Sequence, residues 1–344
     1  MKLLTSLMLI GLLLVGCKTK KEVKPISTVT IEEVYTDSIN IRAITFLDTN
    51  TLAFAGTHGT FGTVDLPSKK IRSNVQKFDS IYPEFRAVAN TSTDFFMLSV
   101  ASPALIYKTG GNGKMELVYK EEGEDVFYDA MLFWNDDEGL AIGDGSNGCL
   151  AIVITRNGGN TWSKIDCSEL PKLQGDVGAY AASNTNIEVK GDKAWIMTSK
   201  EEIVVTNDKG KTWEKIRTPI EIKEQYQGIY SIDFYDENNG YGIGGDFSKP
   251  TLNKSNKIQT KDGGQTWQLV ADNAEPGYKS CVQYVPNSDA DKLVTVGFTG
   301  ISVSNNGGLG WSTISDEGFY TIRFLNDSIA YAAGKNRIAK LTFH

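Results

Sequence analysis

The stretch that decides the fold reads Thr155-Arg156-Asn157-Gly158-Gly159-Asn160-Thr161-Trp162, and the chain repeats it. The pattern S/T-x-D/N-x-G-x-T-W recurs at 206–213 and 260–267, and in a weaker form at 304–311. Asp or Asn can cap the amides of a tight turn, and glycine adopts the positive φ that other residues resist. A tryptophan at the end of the turn can fill the space between two sheets. We therefore predict four repeat turns, with structural roles for Asn157, Trp162, Asp208, Trp213, Asp262, Trp267, Asn306 and Trp311.

A second repeated element, a short apolar strand, lies upstream of the turns. It occurs seven times, at 41–44, 85–88, 128–131, 180–182, 229–232, 278–281 and 319–322. Arg42 and Thr321 are 279 residues and six repeats apart, about 46 residues per repeat, and a four-stranded propeller blade needs about 40–50. The last unit has only three strands, and the segment at 28–34 can supply the fourth, which removes an exposed sheet edge.

The repeats predict an all-β fold, a single seven-bladed β-propeller over residues 27–344. Its blades are four-stranded and antiparallel, and the N-terminal strand closes the last blade. A six-bladed ring is the alternative if one unit is misread. The 34 glycines and 35 aromatic residues suit many short strands and tight turns.

Composition excludes several function classes. The formal net charge of −7 argues against a nucleic-acid partner. The chain has two histidines, His58 and His344, which argues against multi-histidine metal sites and against a Ser-His-Asp triad. Two of the four repeat turns carry Asn in place of Asp, and calcium needs six to eight oxygen ligands. We predict no metal and no cofactor.

The N-terminus predicts export and lipidation. Residues 1–16 have the short basic start and apolar run of a signal peptide. The stretch Leu14-Val15-Gly16-Cys17, which spans the end of this segment, resembles the bacterial lipobox and makes Cys17 the expected lipidation site. Residues 17–26 are polar and are expected to form a flexible tether, and Lys18 after the cysteine resembles signals for the outer membrane. An ordinary signal peptide with an accidental cysteine is the alternative.

Cys149 and Cys167 flank the first repeat turn at equal distances, so they can be cross-strand neighbours. An exported protein meets an oxidising compartment, so a disulfide between them is permitted. Two buried thiols are the alternative. Cys281 is expected to lie buried in a strand.

The repeat turn resembles the Asp-box (BNR repeat) of sialidase-type and sortilin-type β-propellers. Over most of the chain, segments such as 127–134, 244–250 and 316–319 resemble secreted bacterial propellers of the photosystem II stability/assembly-factor-like family. The photosynthetic branch of that family implies an assembly chaperone that binds a membrane-protein precursor. Other members are often labelled "oxidoreductase", but this chain has no dinucleotide fingerprint and no Cys-x-x-Cys pair.

The expected ligand site lies on the funnel face, the face of the ring opposite the repeat turns, because loops from several blades converge there. Two arginines there can clamp a carboxylate or sulfate, and four carboxylates are acid/base candidates if hydrolysis occurs. Alternatively, these charges pair with each other and lock adjacent blades. The candidate residues are Arg42, Arg86, Asp129, Asp144, Tyr180, Tyr230, Asp246, Lys249, Tyr278 and Glu317.

The first functional hypothesis is a lipid-anchored envelope scaffold that binds a protein or peptide across its funnel face. The alternatives are a glycan-active hydrolase that uses funnel carboxylates and a redox enzyme, as the family label suggests. A sialidase needs an arginine triad, and Phe85-Arg86-Ala87-Val88 is only a faint echo of the sialidase entry motif. We therefore favour a non-enzymatic role with an envelope protein or peptide as partner and a glycan as the alternative ligand.

Overall fold

The computed structural model describes residues 24–344. The predicted signal peptide, Cys17 and most of the predicted tether lie outside the described residues. The described chain is built from antiparallel strands. Its helical elements are three 3-10 turns at Thr57–Gly59, Gly111–Gly113 and Cys167–Glu169. No helix within residues 24–344 has the length and apolar character that crossing a lipid bilayer requires.

The strands follow one another in short hairpins. The first eight are β1 Val29–Asp48, β2 Thr51–Gly56, β3 Thr60–Asp65, β4 Lys70–Val75, β5 Phe85–Asn90, β6 Phe95–Ser99, β7 Ala104–Thr109 and β8 Met115–Glu121. The next eight are β9 Tyr128–Phe133, β10 Gly139–Gly143, β11 Ala151–Thr155, β12 Ser163–Lys164, β13 Ile187–Lys190, β14 Lys193–Met197, β15 Glu202–Thr206 and β16 Glu214–Arg217. The last ten are β17 Gln227–Phe234, β18 Gly240–Asp246, β19 Lys257–Thr260, β20 Gln268–Leu269, β21 Cys281–Tyr284, β22 Leu293–Gly297, β23 Gly300–Ser304, β24 Ser312–Ser315, β25 Thr321–Phe324 and β26 Ile329–Phe343.

Hydrogen bonding joins these strands into six sheets within the described chain, five of four strands and one of six. The prediction of seven four-stranded blades was wrong: counted by hydrogen-bonded sheets, the propeller has six blades. The physical reason is the length of β1 and β26. Between Val29 and Asn40, β1 pairs with β26, and from Ile41 to Asp48 it pairs with β2. The strands predicted as a first and a last blade therefore form one sheet, β25-β26-β1-β2-β3-β4.

The first strands of the units surround a central channel. Strands β1, β5, β9, β13, β17, β21 and β25 contact one another in this order, and β25 contacts β1. The six-stranded sheet thus presents two strands to the channel. The sheets pack face to face through apolar side chains, as where Ile142 and Ile152 meet Ile196 and Val204 of the next sheet.

The repeat turns join the third and fourth strands of four sheets. In the turn after β15, Asp208 Oδ1 accepts hydrogen bonds from the backbone amides of Lys211 and Thr212, at 3.0 and 2.9 Å. Gly210 has φ of 74°. A Cβ at this glycine would lie 2.7 Å from the Ile154 side chain of the preceding sheet, so the close packing between sheets depends on glycine here.

The channel is closed by residues 180–186, which we call the plug. The sequence places an inner strand at 180–182, but this segment is irregular and the strand begins only at Ile187. The plug makes hydrogen bonds to six inner strands. Asn184 Nδ2 donates to the Val88 carbonyl on β5, and Asn184 Oδ1 accepts from the Met131 amide on β9. The other contacts run to Arg42 on β1, Ser231 on β17, Cys281 on β21 and Thr321 on β25.

A disulfide joins Cys149, before β11, to Cys167, after β12, with the Cα atoms 5.7 Å apart. Cys281 is a free buried thiol on β21. The disulfide closes the short outer edge of its sheet, next to the loop that reaches the funnel face.

Candidate functional site

A cavity of about 1110 Å³ opens on the funnel face, above the plug. Loops between consecutive units and loops between second and third strands line it, on the face opposite the repeat turns. Three kinds of surface can be distinguished. The floor carries two arginines, one side carries a series of aromatic rings, and another side carries carboxylates.

Arg42 and Arg86 lie at the floor, on the inner strands β1 and β5. The Arg42 guanidinium lies 4.1 Å from the centroid of the Tyr320 ring, and its Nη1 donates to the Ala182 carbonyl at 3.3 Å. Burial, and then the charge of Arg86, lower the pKa of Arg42. Arg86 Nη2 pairs with Glu84 at 2.7 Å. Arg42 has no carboxylate partner within residues 24–344, so its charge is available to an anionic ligand.

The aromatic wall consists of Tyr180, Tyr230, Phe247, Tyr278 and Phe298. The Tyr180 and Tyr230 rings stack with centroids 3.7 Å apart, and Tyr278 meets Tyr230 edge-on at 5.0 Å. Their hydroxyls do not face a vacant site: those of Tyr180 and Tyr230 each donate to a backbone carbonyl, at 3.0 and 2.7 Å. Phe247 and Phe298 are 44% and 47% exposed, unusually high for rings of this size. The wall therefore offers apolar surface to a ligand.

The acidic wall consists of Glu124, Asp125, Asp144 and Asp176. Glu124 and Asp125 lie in the loop before β9, Asp144 follows β10, and Asp176 lies in the long connection before β13. Asp144 Oδ1 accepts a hydrogen bond from the Ala179 amide at 3.2 Å. A Cβ at Gly178 would lie 2.0 Å from Asp144 Oδ1, so the carboxylate packs directly on this glycine backbone.

Asp129 lies behind Asp144 and is fully buried. Neither of its carboxylate oxygens accepts a well-aligned hydrogen bond within the described chain, although the Ala179 amide and the Asp144 carboxyl lie close enough to influence its pKa. Burial, and then the charge of Asp144, raise the pKa of Asp129 well above its usual range. Burial also raises the pKa of Asp144. Two adjacent carboxyls titrate as a pair, which holds one proton more tightly than a separate aspartate does.

The cavity brings together six of the ten residues proposed from sequence: Arg42, Arg86, Asp144, Tyr180, Tyr230 and Tyr278. Asp129 is buried behind the lining. Asp246 caps its own loop by accepting from the Ser248 amide at 2.8 Å, and Lys249 pairs with Glu224 at 2.6 Å. Glu317 pairs with Arg337 at 2.6 Å. Arg86, Lys249 and Glu317 thus form ion pairs, as the predicted alternative has it. Arg42 and Asp144 form none within residues 24–344 and remain available to a ligand.

Sequence reasoning missed Phe247, Phe298, Tyr320 and the carboxylates Glu124, Asp125 and Asp176. Phe247 stands between Asp246 and Lys249, in a loop selected for its charged residues. The signal was a large apolar side chain in a polar loop, which normally means either a core contact or an exposed binding surface. Nothing in the local sequence distinguishes these two outcomes.

The cavity presents an arginine floor, a carboxylate wall and exposed aromatic rings. Within residues 24–344, no group of three His, Cys, Asp or Glu side chains is arranged to hold a metal ion. The buried Asp129 does not line the cavity, so it does not contact a ligand there directly. Arginine and exposed aromatic rings are enriched in protein–protein interfaces.

Comparison with known proteins agrees with the fold. The family model "Sortilin, neurotensin receptor 3" matches residues 150–300, which hold three of the repeat turns. No curated protein sequence matches the chain. The solved structure of YCF48 from Cyanidioschyzon merolae has a TM-score of 0.65 at 14% identity, covering 92% of this chain and 99% of the other.

Two further solved structures are similar. "YCF48 bound to D1 peptide" has a TM-score of 0.64 at 13% identity, covering 93% of this chain and 99% of that one. The RRP9 WD40 repeats have a TM-score of 0.63 at 9% identity, covering 93% and 99%. At these identities the likeness shows the propeller fold alone.

Proposed function

We propose that this propeller is a non-enzymatic scaffold that captures a segment of a partner polypeptide in the cavity of its funnel face. The observation that carries the proposal is the exposed aromatic wall above an arginine that has no carboxylate partner in the described chain. Exposed aromatic rings with an arginine are typical of binding hot spots. That a similar propeller, YCF48, has been solved with a bound D1 peptide supports this choice of ligand class.

The geometry suits an extended peptide. The cavity is about 1110 Å³ and open at the top, larger than a single small metabolite needs. Apolar side chains of the partner would pack on Phe247 and Phe298, and a carboxylate would pair with Arg42 at the floor. Because the plug is hydrogen-bonded to six inner strands, the floor is rigid before the ligand arrives, which lowers the entropic cost of binding.

Selection of a random phage-displayed peptide library against the full chain tests this proposal. Enriched peptides should bind wild type measurably by fluorescence anisotropy. The Phe247→Ala/Phe298→Ala double variant should bind them at least tenfold more weakly, because about half of each ring is available to the ligand. Leu309→Ala is the control, since Leu309 is 61% exposed but lies in a repeat turn on the opposite face. No enriched peptide, or unchanged binding by the double variant, would refute the proposal.

We also propose that the scaffold is held at the cell envelope, at the outer membrane, by a lipid on Cys17. Support comes from the sequence, in which the signal-peptide-like residues 1–16 directly precede Cys17. The Ile26 amide donates to Asn305 Oδ1 at 2.8 Å, and Asn305 Nδ2 donates back to the Ile26 carbonyl at 2.9 Å. Asn305 belongs to the repeat turn at 304–311, so Ile26 lies at the turn face, opposite the cavity. Cys17→Ser should move the protein from the membrane fraction to the soluble fraction; unchanged membrane association would refute the anchor.

A further inference from the structure

The acidic wall differs from the other carboxylates of the funnel face. Within residues 24–344, none of Glu124, Asp125, Asp144 and Asp176 forms an ion pair. Three other carboxylates of the same face, by contrast, each pair with a basic side chain: Glu84 with Arg86, Glu224 with Lys249 and Glu317 with Arg337. These three carboxylates are neutralised by a basic side chain, whereas the four of the wall are not.

A second observation points to the same place. The buried Asp129 stands behind Asp144 and forms no ion pair within residues 24–344; the polar groups that approach it are the Asp144 carboxyl and the Ala179 amide. A buried carboxyl without a positive partner destabilises a fold, and an apolar side chain in its place would lower that cost. Because burial and the charge of Asp144 raise the pKa of Asp129, a cation beside the pair would favour the ionised form of both carboxyls. Such a site attracts a cation.

The form of the wall indicates which cation. Its four carboxylates come from three separate loops and are not gathered as metal ligands are. They face a cavity whose other wall is aromatic and whose floor is basic. A ligand that satisfies all three surfaces must carry positive charge, apolar surface and negative charge in one extended molecule. A polypeptide segment with spaced side chains meets this requirement.

We propose that the acidic wall is a specificity surface for a lysine or arginine side chain of the captured polypeptide, opposite the apolar residues that pack on the aromatic wall. This inference rests on the proposed function, because it assumes that the occupant is a peptide. Long basic side chains can reach the wall while their aliphatic stems remain against apolar surface. Charge pairing of this kind gives specificity and a faster association rate more than raw affinity.

The library selection described above tests the inference if the charged-residue content of the enriched peptides is compared with that of the unselected library. Peptides enriched on wild type should gain Lys and Arg, and lose Asp and Glu, relative to the unselected library. The Glu124→Gln/Asp125→Asn/Asp176→Asn variant, selected in parallel, should lose this preference. The matched control is Glu237→Gln/Asp137→Asn/Asp289→Asn, which removes the same charges from exposed positions outside the cavity. It should retain the wild-type preference.

One enriched peptide then measures how much its basic residue contributes to binding. Replacing its basic residue with norleucine should weaken binding to wild type about tenfold at low salt, and less at high salt, because partly exposed ion pairs are screened. The same replacement should have little effect on binding to the acidic-wall variant. Equal binding of both peptides to wild type, or a preference that survives in the acidic-wall variant, overturns the inference and leaves the peptide-binding proposal standing. If no peptide binds at all, both fail.

Discussion

The two faces of the ring treat polar groups in opposite ways. On the turn face, the side chain of each repeat turn is used within the turn: Asp262 accepts from the amide and the hydroxyl of Thr266, at 2.9 and 2.6 Å. On the funnel face, Arg42 and Asp144 have few protein partners, and the buried Asp129 has no basic partner within the described chain. The aspartates of the repeat turns are thus satisfied locally, whereas the Asp129–Asp144 pair is not.

The difference separates stability from function. A turn that satisfies its own groups can be repeated, and it holds neighbouring sheets together through its glycine and tryptophan. A cavity that leaves polar groups unpaired keeps them available to a ligand, and it lowers the stability of the fold. If this comparison is right, substitutions on the turn face should change stability and leave peptide binding unaltered, whereas those in the cavity should do the reverse.

The largest expected effect is that of Trp267→Ala on the turn face. Trp267 is 7% exposed, packs against Phe234 at 6.0 Å between ring centroids, and donates from Nε1 to the Gly264 carbonyl at 3.1 Å. Removing the ring leaves a cavity between sheets and should lower the free energy of unfolding by about 3–5 kcal/mol. Urea unfolding followed by fluorescence or circular dichroism measures this.

Trp213 is the equivalent tryptophan of another copy of the repeat turn, at 206–213, and offers a comparison. Its indole nitrogen is buried without a hydrogen-bonding partner in the described structure, unlike those of Trp162, Trp267 and Trp311. Trp213→Phe should therefore cost less than Trp267→Phe, since it removes no hydrogen bond. Equal losses of stability for the two variants would mean that the tryptophan stabilises the fold through packing alone, without a contribution from its indole hydrogen bond. Peptide binding that falls with Trp267→Ala would break the separation of the two faces.

How much of this the sequence could predict depends on how local each feature is. The repeat turns depend on contacts within about eight residues, so Asp208, Asp262 and their tryptophans could be identified and their roles predicted. The number of sheets could not, because it depends on β1 and β26 each running through two pairings without a break. The plug was misread as a strand because its partners lie on six other strands, far away in sequence. Exposure of Phe247 and Phe298 likewise depends on what neighbouring loops leave uncovered.

The smallest predicted effect tests the two aspartate environments directly, through the pH dependence of stability. Hydrogen bonds with Thr212, which outweigh partial burial, lower the pKa of Asp208 to about 2. A lowered folded pKa stabilises the fold above the unfolded pKa, about 4, and this stabilisation is lost as pH falls towards 2. Asp208→Asn should therefore reduce the free energy of unfolding by about 1 kcal/mol at pH 7 and by less near pH 3. Asp129→Asn should act in the opposite direction, because a raised folded pKa destabilises the fold as pH rises above about 4.

An asparagine at 129 imitates the neutral carboxyl and can donate to Asp144, so the variant should gain about 1 kcal/mol at pH 7 and nothing near pH 3. Unfolding curves of both variants between about pH 3 and pH 8 give the two slopes, relative to wild type. Slopes of the same sign would mean that Asp129 is paired in solution, and the contrast between the faces would then reduce to the aromatic wall. Slopes of opposite sign would show that the buried carboxyl behind the funnel face destabilises the fold, whereas the turn-face carboxylate stabilises it.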